Sequence, residues 1–386
     1  MTRSSPDGFA PWSEQPGSRV SHGRSIAVRE RQLIVRTAAA GALELALGLP
    51  VAAREQRALG LTRLTLRDAV DLAPVLARLR ADDPVLATQT SPNYQLNPWV
   101  SSGGDDDPTP VTTAPPEREL WHLPATVAVF DSGLLRGYGR HGFLANAYPV
   151  TGADVIDPSG PNGALLLYDS HGMFISGVVL CAAPRSTVRV TRAFDDNGQT
   201  DDWTLAHVID DYLDAHPEVR LVNLSCGTYA DRQQPPLALA QLVDAHPDVF
   251  FVAAAGNLPA GTVSQPSRPS YPAAYDTVVG VGAVTATGQV APFTDTVSAD
   301  VWAYGSQVVN AFGPGTLDGT SFPAGLASWS GTSFAAPLAA AALTELAGVG
   351  APPMPPGYLN RARWAIAWLA ARYRRPSDGR IVLPRP

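Results

Sequence analysis

The chain beyond residue 120 alternates short apolar runs with stretches of helical spacing. Two such stretches, 203–215 and 237–245, lie between the apolar runs. The predicted strands are 127–130, 188–193, 219–224, 249–254 and 278–281. Continuous apolar runs of this length are typical of strands buried on both faces, so the pattern predicts an α/β fold with a mostly parallel sheet flanked by helices. In such folds, sites lie at the carboxyl ends of the strands.

A second, smaller pattern precedes this one. Segment 61–66 alternates apolar with polar residues, 70–79 has helical spacing, and 32–35 and 84–88 have the composition of strands. Together these elements predict a small α+β domain over residues 31–96.

Two segments lack the apolar residues that a packed core requires. Residues 1–30 are rich in Ser, Pro, Gly and Arg, and we predict a disordered tail there. Residues 97–119 contain Gly103-Gly104, the acidic run 105–107 and five prolines, which is typical of a linker. The remaining residues, 120–386, form the larger predicted domain.

The apolar segment 37–50 is open to two interpretations. Arginines precede it, as they would precede the hydrophobic part of a secretion signal. Glu44 interrupts it and a predicted strand comes just before it, so we favour a helix of the small domain and keep a late secretion signal as the alternative. No signal peptide begins at Met1, so we expect a cytoplasmic location, with secretion as the alternative.

Composition excludes few classes of protein. With 386 residues, 45% of them hydrophobic, the chain can bury a large core in two folded units. A net charge of -7 gives no general reason to expect nucleic-acid binding, and no stretch is long enough to span a membrane. The two cysteines, Cys181 and Cys226, make no disulfide framework and fit a reducing compartment.

Ser333 stands at the start of a predicted helix. A flexible approach at 330–332 leads into the alanine-rich run 335–347, and Pro337 fits a first turn. The N–H groups of a helix start lack intrahelical partners and favour negative charge, so a serine there could attack a carbonyl while its own N–H meets the oxyanion. The alternative is a simple helix cap.

A nucleophilic serine also needs a base and a carboxylate that orients the base. Asp131 follows the predicted strand 127–130, where the alternative is a turn aspartate. His171 precedes the apolar segment 173–180, where a core or capping histidine is the alternative.

Four motifs resemble those of subtilisin-like serine proteases and follow the same order. They are 127–133, 169–172, 253–257 and 331–337. In that family, the residues that match Asp131, His171 and Ser333 form the catalytic triad, in the chain order known for subtilisin. The residue that matches Asn257 donates a hydrogen bond to the oxyanion. The resemblance implies that 120–386 is a subtilisin-like catalytic domain.

The resemblance also implies a substrate site. Segment 223–227 is similar to the family segment that pairs with extended substrate, and 254–256 is similar to the opposite wall of the pocket. The substrate-binding residues implied are Ser225, Cys226, Gly227, Ala254, Ala255 and Gly256. Plain strand packing is the alternative for both segments, and a buried structural thiol is the favoured interpretation of Cys226.

The small domain resembles the propeptide-inhibitor domain that precedes many subtilisin-like catalytic domains. The resemblance rests on the end of the domain, residues 84–94. It implies that the N-terminal domain acts as an intramolecular inhibitor. We also expect the enzyme to cut itself within or beside the linker 97–119, because an exposed flexible segment next to a protease cleft is the easiest substrate. An unrelated α+β appendage is the alternative.

The acidic segment 195–202 allows three interpretations. We favour a solvated turn that caps the following helix over a rim that selects basic substrate residues or a calcium site. Its spacing does not fit an EF-hand, and segment 181–186 is short where many relatives carry a longer calcium-binding loop. The acyl-transfer steps that the resemblance implies need no metal or organic cofactor, so we predict none and keep calcium as the open alternative.

These observations predict a serine endopeptidase that hydrolyses peptide bonds through an acyl-enzyme and is made as a zymogen. Its expected partners are a peptide or protein substrate and its own N-terminal domain. One alternative is a non-catalytic peptide-binding module. The other is a dedicated maturation protease that acts on one partner peptide.

Overall fold

The computed structural model describes residues 26–98, 107–230, 234–258 and 269–386, and the backbone of Phe9–Pro11. The chain divides into two compact units. The first unit comprises Met1–Leu96, Thr200–Ala215 and Thr228–Ala245, and the second comprises Asn97–Gln199, His216–Gly227 and His246–Pro386. Most of the predicted tail and residues 99–106 of the predicted linker lie outside the described residues.

Strands and α-helices are labelled here in chain order. The strands are β1 (Phe9–Pro11), β2 (Ala27–Arg36), β3 (Val51–Arg57), β4 (Leu61–Leu66), β5 (Thr90–Pro98), β6 (Thr109–Pro110), β7 (Thr126–Asp131), β8 (Leu134–Leu135), β9 (Ala147–Pro149), β10 (Val155–Ile156), β11 (Thr187–Arg192), β12 (Thr200–Asp201), β13 (Leu221–Leu224), β14 (Cys226–Tyr229), β15 (Phe250–Ala254), β16 (Ser270–Tyr271), β17 (Val278–Val284), β18 (Val301–Tyr304), β19 (Val308–Ala311), β20 (Thr316–Leu317), β21 (Thr320–Ser321) and β22 (Leu326–Trp329). The helices are α1 (Ala40–Leu47), α2 (Leu72–Asp82), α3 (Pro84–Thr88), α4 (His171–Ala182), α5 (Asp202–Ala215), α6 (Leu237–Ala245), α7 (Thr332–Ala347) and α8 (Arg361–Tyr373).

A seven-stranded sheet forms the centre of the second unit. Its order is β18-β17-β15-β13-β7-β11-β9, and each neighbouring pair is parallel. The inner strands β7, β13, β15 and β17 are almost entirely buried, as expected for a parallel sheet covered by helices. The predicted α/β architecture is confirmed.

Helix α7 lies against this sheet and against α4. It contacts β7, β13, β15, β17 and β18, and most of its residues are buried. Its fully buried alanines are Ala335, Ala336, Ala339, Ala340, Ala341 and Ala342. Such small side chains let a helix pack close to its neighbours, which explains why this alanine-rich run is central to the core. Helix α8 packs on β15 and β17.

The first unit contains an antiparallel sheet. In it, β2 pairs with β1, β4 and β5, while β3 pairs with β4. Strand β4 confirms the alternation predicted for 61–66, and β2 begins at Ala27, inside the segment predicted as a tail. One break between the units falls after Leu96, at the predicted boundary. Helices α5 and α6 also group with the first unit, so neither unit is a single continuous stretch of the chain.

The prediction of an extended segment at 84–88 was wrong, because these residues form α3. Pro84 occupies the first turn of α3, where the missing N–H is not needed, and the Asp83 side chain accepts a hydrogen bond from Leu86 N at 2.9 Å. Cap and proline together favour a helix over the strand that the apolar residues suggested.

None of the helices in the described ranges combines the length and the apolar character that crossing a bilayer requires.

Asp202 is a buried carboxylic acid of the first unit. It is the first residue of α5, and its two oxygens accept hydrogen bonds from Ala238 N at 3.0 Å and Leu239 N at 2.9 Å in the first turn of α6. Burial raises the pKa of Asp202 to about 7, although these N–H donors favour the ionised form. The helix start therefore binds a group that is protonated more readily than an exposed aspartate.

We expect Asp202 to make the free energy of unfolding fall as pH rises from about 4 to about 7. The folded state, with its pKa of about 7, holds a proton that the unfolded chain, with a pKa near 3.8, has released. The contribution has a maximal slope of about 1.4 kcal/mol per pH unit. Chemical unfolding at several pH values measures it, and Asp202→Asn should remove this part of the slope. The control is Asp214→Asn, at an exposed position of the same helix. Identical pH dependence of Asp202→Asn and the wild type would contradict the assignment.

Candidate active site

The register of the parallel sheet places three segments at one edge. Strands β7, β13 and β15 are neighbours, with Asn223 opposite both Val129 and Val252. Asp131 ends β7, Ser225 follows β13 and Asn257 follows β15. Because parallel strands end at the same edge, residues far apart in sequence come together there.

Asp131 and His171 form a buried pair at this edge. His171 is the first residue of α4, and its Nδ1 lies 2.8 Å from Oδ1 and 2.9 Å from Oδ2 of Asp131. Both side chains are completely buried. Ser132 N donates a further hydrogen bond to Asp131 Oδ1 at 2.7 Å, which helps to stabilise the carboxylate away from water.

A close approach of two backbone segments holds this pair in place. Gly172 N donates to Ser132 Oγ at 3.0 Å, which ties the start of α4 to the end of β7. A Cβ atom on Gly172 would lie 2.4 Å from the carbonyl oxygen of Gly133. Only glycine at position 172 permits this contact between helix and turn.

Ser333 lies near the start of α7, as predicted. Gly331 precedes the helix, and the ring of Phe334, the next residue, lies 5.6 Å from the His171 ring. Ser333 Oγ donates a hydrogen bond to the carbonyl oxygen of Ser225 at 2.6 Å. The Nε2 atom of His171 is buried and has no hydrogen-bond partner among the described residues. The structure thus brings the predicted nucleophile and the predicted base to one buried site.

The amide of Asn257 is oriented by Thr332. Asn257 Oδ1 accepts hydrogen bonds from Thr332 N at 3.1 Å and from Thr332 Oγ1 at 2.8 Å. Gly256 N donates in turn to Thr332 Oγ1 at 3.3 Å. Sequence reasoning missed Thr332, although its position next to Ser333 was the available signal.

The predicted substrate-binding residues occupy two backbone segments. Cys226 and Gly227 begin β14 and pair antiparallel with Pro98 and Asn97. Ala254 ends β15, Ala255 N donates to Val281 O at 3.0 Å, and Gly256 follows with a φ of 106°. Burial raises the pKa of the Cys226 thiol well above its usual value, in keeping with the favoured structural thiol.

The acidic segment 195–202 forms local caps and ion pairs. Asp195 Oδ1 accepts hydrogen bonds from Asn197 N at 3.0 Å and Gln199 N at 2.8 Å, and Asp196 contacts Arg192. Within the first unit, Asp201 Oδ1 accepts from Thr204 N at 2.9 Å, near the start of α5. These contacts agree with the helix-capping part of the favoured interpretation. The expectation that the whole turn is solvated was wrong, because Asp201 and Asp202 are buried.

The comparisons with known proteins give the family. The model of the subtilase family, a peptidase family, matches residues 125–356. The chain belongs to the subtilase family. It is therefore a subtilisin-like serine peptidase that acts on a peptide or protein substrate, which confirms the family expected from the four motifs.

Two solved structures that match part of the chain are also proteases. The patellamide maturation protease PatA is 22% identical, with a TM-score of 0.49, and the match covers 67% of this chain and 90% of that one. A lanthipeptide protease is also 22% identical, with a TM-score of 0.49, and the match covers 64% and 80%. No curated protein matched the chain.

Gly172→Ala should damage the subtilase site through geometry alone. The added Cβ collides with the Gly133 carbonyl, so α4 must shift and carry His171 away from Asp131. A displacement of about 1 Å lowers activity by about 10²-fold. The control is Gly142→Ala, because a Cβ at Gly142 meets nothing within 4 Å. Peptide hydrolysis and thermal unfolding measure both effects, and equal activity of the two variants would contradict the proposed constraint.

Proposed function

We propose that this subtilase is a serine endopeptidase that cleaves peptide bonds through an acyl-enzyme on Ser333. The observation that carries the proposal is the buried Asp131–His171 pair beside a serine at a helix start, with the imidazole Nε2 unpartnered among the described residues. Nδ1 is engaged by the carboxylate, so Nε2 is the atom available as a base.

The first step moves a proton from Ser333 to His171. The Ser333 hydroxyl, which donates to Ser225 O in this structure, must leave that carbonyl to donate to Nε2. Nε2 takes the proton as Oγ attacks the substrate carbonyl, and Asp131 stabilises the imidazolium that forms. Nε2 then returns the proton to the leaving amine, and water hydrolyses the acyl-enzyme by the reverse sequence.

The oxyanion that forms at each stage is stabilised by Asn257 and by the N–H of Ser333. Thr332 holds the oxygen end of the Asn257 amide, which leaves the NH₂ group as the end that serves a developing negative charge. The start of α7 adds backbone N–H groups and the positive end of the helix dipole. Fixed donors of this kind supply most of the stabilisation in acyl transfer, and one donor contributes about 10²–10³-fold in kcat in another subtilisin-like enzyme.

Ser333→Ala should abolish both peptide hydrolysis and labelling by a fluorophosphonate. The control is Ser321→Ala, because Ser321 is exposed in the short strand β21. Mass spectrometry of the labelled protein identifies the modified residue. A wild type that takes up no label while it still binds peptides would favour a non-catalytic peptide-binding module. Cleavage of a broad peptide library would count against a dedicated maturation protease.

We also propose that the enzyme is made as a zymogen. Asn97 and Pro98 pair antiparallel with Gly227 and Cys226, the segment predicted to bind extended substrate. A segment of the chain itself thus holds the edge that a substrate strand would use. Residues 99–106, which follow Pro98, lie outside the described residues. We propose that the enzyme cleaves its own chain within or beside the linker 97–119.

Contacts within the first unit support an attached N-terminal domain. The side chains of Ser91 and Asn93 on β5 accept hydrogen bonds from Leu237 N at 3.2 Å and Trp203 N at 3.1 Å, at the starts of α6 and α5. Arg29 Nε donates to Asp201 Oδ2 at 3.0 Å. Helix caps and a partly buried ion pair are therefore shared between the N-terminal sheet and two helices that come later in the chain.

Arg29→Gln should weaken retention of the N-terminal fragment after cleavage by about tenfold, because it removes a charge-assisted hydrogen bond to a buried carboxylate. Gel filtration measures the bound fraction, and N-terminal sequencing with intact mass on the wild type and Ser333→Ala locates the cut. The control is Arg78→Gln, because Arg78 and its partner Asp82 are largely exposed. Immediate dissociation of the fragment from the wild type would contradict an attached N-terminal domain. Retention of the fragment by Arg29→Gln at the level of the wild type would contradict the contribution of this ion pair.

A further inference from the structure

Helix α7 carries a proline where a backbone donor is normally found. Pro337 was expected in the first turn, but the helix starts at Thr332, so Pro337 lies inside it. Proline has no N–H, and the carbonyl four residues earlier therefore lacks its usual helical partner. That carbonyl belongs to Ser333, the proposed nucleophile.

The side chain of Ser225 supplies the missing donor. Ser225 Oγ donates a hydrogen bond to the carbonyl oxygen of Ser333 at 2.7 Å. It accepts a hydrogen bond from Asn223 Nδ2 at 2.9 Å, which fixes the hydroxyl from the sheet side. Asn223, Ser225 and Ser333 are all completely buried, so water cannot replace this donor.

A second hydrogen bond runs in the opposite direction between the same two residues. Ser333 Oγ donates to the carbonyl oxygen of Ser225 at 2.6 Å. The loop after β13 and the first turn of α7 are therefore joined by two reciprocal hydrogen bonds. One of them, from Ser225 Oγ, remains when the Ser333 hydroxyl turns towards His171.

We propose that the hydroxyl of Ser225 is a positioning group for the reaction, in addition to any contact that its backbone makes with substrate. It holds the Ser333 carbonyl and thereby fixes the turn that carries both Ser333 Oγ and the Ser333 N–H. The Ser225 hydroxyl therefore assists the attack of Ser333 Oγ on the substrate carbonyl and the stabilisation of the oxyanion, and it contributes little to substrate binding. The inference rests on the proposed acyl-enzyme function of Ser333.

The proline provides an internal test of this role. In Pro337→Ala, residue 337 regains an N–H that can donate to the Ser333 carbonyl in the ordinary helical pattern. The Ser225 hydroxyl should then become dispensable. If Ser225 acted in another way than by its hydrogen bond to the Ser333 carbonyl, the effect of removing its hydroxyl would not depend on the residue at position 337.

The experiment is a double-mutant cycle on the full-length chain with Ser225→Ala, Pro337→Ala and the double variant. Peptide hydrolysis gives kcat and KM, and a fluorophosphonate gives the rate of reaction at Ser333. We expect Ser225→Ala to lower kcat and the labelling rate about tenfold, with KM changed less than about twofold, because a buried carbonyl loses its donor. In the Pro337→Ala background the same substitution should cost less than about twofold.

Equal losses from Ser225→Ala in both backgrounds would overturn the inference. So would a lowered thermal midpoint with an unchanged labelling rate, because that result indicates a purely structural role. If Ser225→Ala does not fold, Ser225→Cys replaces it in the cycle, since a thiol is a weak donor and should give a smaller loss with the same dependence on position 337. A wild type that neither hydrolyses peptides nor reacts at Ser333 would overturn the proposed function itself, whereas a reactive wild type without coupling overturns only the role of Ser225.

Discussion

The site depends on one constraint, the parallel register of β7, β13 and β15. This register brings the ends of three buried strands to one edge, where Asp131, Ser225 and Asn257 stand. A carboxylate at this depth must be paired or it destabilises the fold, and Asp131 receives hydrogen bonds from Ser132 N and contacts His171 Nδ1. The contact with His171 that helps to offset the cost of burying the Asp131 carboxylate also orients the imidazole ring.

Helix α7 converts this edge into a reaction site. Its alanines let it pack against five strands of the sheet, and its first turn therefore lies close to the strand ends. Thr332 contacts Asn257, Ser333 contacts Ser225, and Phe334 contacts His171. Three consecutive residues of one helix thus each contact a different segment, so a small shift of the helix would alter all three contacts together.

Sequence patterns predicted the elements whose side chains are buried. The central strands were recognisable because burial on both faces requires continuous apolar runs, as in β15 and β17. Strand β3 was not predicted, because it is mostly exposed and polar and its backbone pairing with β4 leaves little trace in its residue types. The segment at 84–88 was assigned to a strand from its apolar residues, but capping by Asp83 outweighs that character and the segment forms a helix.

The candidate site could be predicted only where residue identity carries the chemistry. Recognisable sequence motifs contain the four residues Asp131, His171, Asn257 and Ser333. The Ser225 hydroxyl donates to the backbone carbonyl of Ser333, and the Thr332 hydroxyl donates to the side-chain amide of Asn257. The fold brings these partners together, so no sequence motif with a fixed spacing identifies the two hydroxyls. The position of Pro337 inside α7 depends on where the helix begins, and that is fixed by Gly331 and the contacts of Thr332.

The site also contains a buried polar atom without a hydrogen-bond partner in the part of the chain that the structure describes. Nearly every buried polar group in a folded protein has a partner, and an orphaned one destabilises the structure by about 1–3 kcal/mol. His171 Nε2 has no hydrogen-bond partner among the described residues, although the ring is enclosed by Trp329 and Phe334. Asp131, Ser333 and the Ser225 hydroxyl all have partners nearby. In the proposed mechanism this nitrogen must remain able to accept a proton, and a local cost of this kind is expected where function, and not stability, determines the arrangement.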